Sequence, residues 1–134
     1  MVRVASRSTL RLVSDEAVRR RLLDAAPRFA QVACDELVAV IVGEFEGTSY
    51  VKTIYLGFEV AGQMVAAAYP HPDGLEVALR LPEDHEAAGL IDATHLTWRT
   101  MPVAYEVREA TQVPELLVLV REAVNRLRSG IDNV

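Results

Sequence analysis

The residues of this 134-residue chain that could do chemistry are few: three histidines, one cysteine, one lysine and one tryptophan. His71, His85 and His95 each fall in or beside a stretch with loop composition, with Asp73, Asp84, Glu86 and Asp92 nearby in sequence. Neutral imidazole and carboxylate are suitable metal ligands. No pair, however, has a spacing such as His-Glu-x-x-His, which would set two ligands on one helix face. Surface loop histidines are the simpler reading, so neither a metal nor any other cofactor is expected. Cys34 lies in the helical run VACDELV, where a free thiol is expected to be a small buried side chain. No nucleophile elbow, glycine-rich phosphate loop or dinucleotide fingerprint is present. Glu44, Glu46, Asp84 and Glu86 could pair as acids, but close carboxylates are ordinary in a chain of net charge -5. No catalytic residue is assigned on these grounds.

Binding chemistry is easier to place. Lys52 is the only lysine and sits at the start of the alternating run YVKTIYLGFEV. Strand alternation puts it on the side of Ile54 and Leu56, so a packed stem with a wet ammonium is the simpler reading. An anion contact is the functional one. Trp98 and Arg99 follow His95 closely; an indole, a guanidinium and an imidazole near one strand end could stack a planar ligand. The simpler reading is that Trp98 packs under the last helix. Charge is uneven along the chain. Residues 1–28 hold seven arginines against three acids, Arg19, Arg20 and Arg21 among them, while residues 29–134 hold seven basic and sixteen acidic residues. Such asymmetry suits a basic arm touching an acidic partner, although a solvated helix face is the simpler reading.

Those residues must be positioned by local structure. Ser14, Asp15 and Glu16 make a helix start, with Val18, Leu22 and Ala25 on one face until Pro27. Phe29, Val32, Ala33, Leu37, Val40 and Ile41 predict a second helix over about residues 28–42, ended near Gly43. The period then changes to two. Residues 50–60, 63–69 and 75–81 read as three strands on short turns, hence an antiparallel meander. Their core face is Ile54, Leu56, Phe58, Leu75, Val77 and Leu79. Thr53, Tyr55, Glu59, Glu76 and Arg80 fall on a second face, which reads as half-wet. Pro82 is expected to open a short helix through Glu86, and residues 95–107 to form a further strand or strand pair, bent or edge-placed by Pro102. Pro114 begins a last helix with Leu116, Val120, Ala123, Val124 and Leu127 as its stripe, stopped at Gly130. Strands in a run with helices at both ends imply one α+β domain, a mostly antiparallel four-stranded sheet packed on N- and C-terminal helices. The basic first dozen residues read as an arm or an edge strand.

Four stretches carry a resemblance: YVKTIYLGFEV, VAAAYPHPDGLEVALRLP, ATHLTW and LLVLVREAVNRL. They resemble a family of small bacterial domains of unknown function, some of them labelled predicted transport proteins, and their layout is similar to the MmcQ/YjbR double-wing group, proposed to bind DNA. The likeness covers about two-thirds of the chain. It implies a compact α+β domain, alone or beside nucleic-acid enzymes, and no particular activity; residue by residue it marks Tyr50, Lys52, Tyr55, Thr94 and His95. The acidity of the matched region departs from a DNA-binding expectation.

With 51% hydrophobic and 25% charged residues, the composition excludes disordered and collagen-like chains. One cysteine excludes a disulfide framework, and no apolar run approaches the roughly 18 residues of a membrane span. The start lacks the apolar core of a secretory signal; its basic, serine-containing character leaves a transit peptide open, and a cytoplasmic protein is the simplest reading. The expected function is a non-catalytic binding or interaction module for a protein or small molecule, through a face made of Lys52, Tyr55, Arg80, His95, Trp98 and Arg99. The alternatives are a nucleic-acid contact through Arg19, Arg20 and Arg21, and a small enzyme with His95 as acid-base and Lys52 holding an anion. A homodimer is expected to cover the alanine-bearing sheet face.

Overall fold

The computed structural model describes residues 16–130. The first dozen residues, expected as an arm or edge strand, lie outside that range, as do Arg3, Arg7 and Arg11. Residues 16–24 form helix α1, with Leu23 and Ala26 buried and Val18 and Leu22 half-buried. Pro27 separates it from α2, Arg28–Val38, whose buried Ala30, Ala33, Cys34 and Leu37 keep helical spacing. The helix runs on as a π-helical segment, Ala39–Glu44, burying Val40 and Ile41. It closes through the Gly47 N–H to the Ile41 carbonyl at 2.7 Å. At the other end α3, Val113–Ser129, has Pro114 in its first turn and Gly130 in the left-handed conformation after its last.

The segment between α2 and α3 in sequence forms one antiparallel sheet of six strands in the order β1-β2-β3-β4-β6-β5. The strands are β1 Thr48–Val51, β2 Leu56–Val60, β3 Gln63–His71, β4 Gly74–Leu79, β5 Leu90–Asp92 and β6 Val103–Val107. Helices α2 and α3 cover one face, against Leu56, Phe58, Leu75, Val77, Leu79 and Val107.

Several expectations change, beginning with the strand count, six where four were expected. The strand over 50–60 is a hairpin: the chain turns at residues 52–55, with the Lys52 N–H on the Tyr55 carbonyl at 2.8 Å, and Tyr50 pairs with Gly57. Alternation therefore cannot be carried through the turn, and Ile54 is 63% exposed instead of lying in the core. Residues 82–86 form a turn, closed by the His85 N–H on the Pro82 carbonyl, where a short helix was expected. The strand over 95–107 survives only as β6. Before it, β5 ends at Asp92 and residues 93–102 leave the sheet, closed at the base by the Ala93 N–H on the Pro102 carbonyl at 2.9 Å. This excursion folds back as a strap over the sheet face opposite the helices. The second face is thus dry along β3 and β4, where the sequence read it as half-wet: Ala67, Ala78 and Met101 are fully buried, and even Glu76 and Arg80 are only 8% and 5% exposed.

Candidate functional site

The strap and the sheet beneath it hold most of the chemistry. A bulge in β3 builds one edge. The pairing with β2 jumps from Phe58–Ala66 to Glu59–Met64, leaving Val65 as an extra residue. One added residue reverses the facing of what precedes it. Val65 joins Ala66 under the helices, while Met64 packs on the strap side. There Met64 accepts a hydrogen bond at its Sδ from the Tyr50 hydroxyl at 3.2 Å, and its carbonyl accepts one from Arg80 Nη1 at 3.3 Å.

Four aromatic rings meet at this edge. Tyr55 stands edge-on to Tyr50 at 6.1 Å, tilted against Tyr69 at 5.4 Å and edge-on to Trp98 at 5.4 Å. These are favoured geometries for ring quadrupoles. The strap reaches this position because Thr97 takes a left-handed turn, φ 61°, after the 3₁₀ turn Thr94–Leu96. Asp92 starts that turn by accepting the Thr94 N–H at 2.7 Å, and this bond holds its carboxyl below the usual range. Trp98 donates its indole N–H to the Tyr69 hydroxyl at 2.7 Å, so its ring is fixed in place while remaining half-buried. Burial raises the Tyr69 phenol, partly offset by that bond. The Tyr50 phenol is also raised, by burial first and then by its hydroxyl neighbour Tyr55. Lys52 Nζ lies 5.7 Å from the Tyr50 ring centroid, within cation–π range.

Further along the same face, Glu76 lies opposite Tyr69 in the β3–β4 pairing. Its Oε2 is 2.6 Å from His95 Nε2, and its Oε1 is 3.6 Å from His71 Nε2. The glutamate side chain is nearly covered and both imidazoles are about half exposed. A carboxylate in so little water keeps its place through such partners. The short bond also fixes the His95 ring.

The structure therefore brings Tyr55 and Trp98 into direct contact, and brings Arg80 to them through Met64. His95 joins by way of Glu76, and Lys52 by way of Tyr50. Arg99, next after Trp98 in sequence, is exposed. Two expectations are corrected. Lys52 is exposed in the hairpin turn, not on the core side, because the strand ends before it. Trp98 packs on the face away from α3, because the strap crosses the sheet there. Tyr69, Glu76 and His71 complete the cluster; from sequence His71 is weighed only as a metal ligand, Glu76 is placed only on the second face, and Tyr69 carries no signal. Glu76 had a signal, an acid on the second face of an otherwise apolar strand; the β3 bulge and the strap had none.

Other candidates lie elsewhere. Arg19 is bonded to Asp35 at 2.8 Å, and Arg20 and Arg21 are exposed. His85 faces Glu122 of α3 at 3.5 Å. Cys34 is buried, and burial pushes its thiol up to about 12; a neutral thiol is a poor nucleophile. Among the described residues no three His, Cys, Asp or Glu side chains are grouped to hold a metal ion, and no helix is long and apolar enough to cross a membrane. No family model, curated protein or solved structure matches the chain.

Proposed function

We propose that the protein is a non-catalytic binding module whose strap-side face takes a small planar anion. The observation that carries this reading is the half-buried Trp98 ring, held by Tyr55 and Tyr69 in an aromatic cluster with the exposed Lys52 at its margin. Lys52 lies by Tyr50 and Arg99 follows Trp98. A fixed ring offers a stacking surface without an ordering cost at the moment of binding, and stacking of a planar group is worth about 1–3 kcal/mol per ring.

Trp98, the only tryptophan, reports on the site directly. Titration with AMP, followed by its emission, should give saturable quenching. Lys52→Ala with Arg99→Ala should weaken it about tenfold or more, and inorganic phosphate, which has no planar group, should not quench. Unchanged emission with millimolar AMP, flavin mononucleotide and naphthoate would remove the reading.

One observation favours a second reading, the 2.6 Å contact of His95 with Glu76. A carboxylate that orients an imidazole is the arrangement of a general base. Under that reading His95→Gln would abolish a turnover while leaving AMP quenching in place.

A further inference from the structure

The helix layer is apolar on both sides. Its outer side carries an open groove of about 810 Å³ between α2 and α3. Val32 of α2 and Val118 of α3 line it and are 39% and 58% exposed; Phe29 and Leu117 line it half-buried. A contiguous apolar surface rimmed by charge is the usual mark of an interaction site.

The order of charges along α2 says what fits. Arg28, Val32 and Glu36 all line the groove. They are spaced i, i+4 and i+8, which sets them in one stripe. At a helical rise of 1.5 Å per residue, Arg28 and Glu36 lie about 6 Å to either side of Val32. Turning this stripe end for end about Val32 exchanges its basic and acidic ends. The stripe is therefore complementary to itself in antiparallel orientation, as a two-fold contact requires. Arg28 makes no ion pair among the described residues, whereas Arg121 on the α3 side is held by both oxygens of Glu44, at 3.0 and 2.7 Å.

We infer that this face is where two copies of the chain meet, with their α2 helices antiparallel about a two-fold axis at Val32. Arg28 of each copy faces Glu36 of the other, and Val32 and Val118 enter the groove opposite. A parallel approach would set like charges together. The alanine-bearing sheet face, expected from sequence to be covered by a second copy, is instead covered by the strap of its own chain.

Sedimentation equilibrium of the full chain tests the arrangement. The wild type should have twice the chain mass. Arg28→Glu or Glu36→Arg alone should each raise the dimer dissociation constant at least about tenfold, because two attractive pairs become repulsive. An equimolar mixture of the two single variants should recover the dimer, since every pair across the contact is opposite again. The double variant R28E/E36R should recover it as well. Circular dichroism checks that each variant is folded, and all these positions are exposed. A wild type that stays monomeric at concentrations on the order of 100 µM would overturn the inference. So would a dimer indifferent to both single variants, or one that the mixture fails to restore.

Discussion

Cys34 shows how one residue's surroundings set its chemistry. Its thiol sits among Ala30, Leu37 and the sheet, and burial, more than any charge, lifts it from an ordinary 9.0 to about 12. Between those values the unfolded chain has lost a proton that the folded chain keeps. The unfolded state then binds fewer protons, so stability falls as pH rises through this window. The slope due to this group is roughly 1 kcal/mol per pH unit. Tyr50 and Tyr69 are also raised by burial and add to the decline above about pH 10. Urea unfolding from pH 8 to 10.5 should give a flatter profile for Cys34→Ala than for the wild type, although the variant is less stable throughout. Parallel profiles would mean that the thiol ionises equally in both states. In the folded protein, alkylation of Cys34 should wait for opening.

At the scale of elements, the β1–β2 hairpin decides where the aromatic cluster stands. Nothing in Lys52–Tyr55 has the composition of a turn, and the alternation of YVKTIYLGFEV runs unbroken in sequence. What the hairpin has instead is Gly57 opposite Tyr50. A Cβ at Gly57 would overlap the Tyr50 ring, which lies across it. An aromatic residue covering a strand glycine pins register. Gly57→Ala should therefore cost about 1–3 kcal/mol, as overpacking does, and much less in a Tyr50→Ala background. Additive costs in that double-mutant cycle would deny the contact. This pairing also explains why residue types at the site were readable while their positions were not. Tyr55, Trp98 and His95 are conspicuous as residues, but their meeting depends on a turn, a bulge at Val65 and a left-handed Thr97. All three are set by packing between elements and leave little local mark.

For the whole molecule, the sheet is a three-layer arrangement: helices, strands and strap. The middle strands β3 and β4 are covered on both faces, while β1 and β5 are the edges. Residues covered on both faces open only with the global transition, and edges open earlier. Native-state hydrogen exchange should find the slowest amides in β3 and β4, at Ala66–Ala68 and Val77–Leu79. The amides of β1 and β5 should exchange through smaller openings. Equal protection in β1 and β4 would show that the strap and the edges unfold together with the core.

The sequence by itself determined the α+β class, the second and third helices nearly to the residue, the β3–β4 hairpin and the core face of β4. In each of these the signal is local: a 3.6 or 2.0 period, a proline near a helix start, a glycine after its end, a Pro-Asp pair at a turn. The tertiary structure alone decided that the sheet has six strands, that residues 93–102 fold over its second face, and that Glu76 lies between two histidines 19 residues or fewer away in sequence. Those outcomes depend on which surfaces remain to be covered once the strands have paired. Alternation along a strand says that two faces exist; only the folded chain says what comes to lie on the second one.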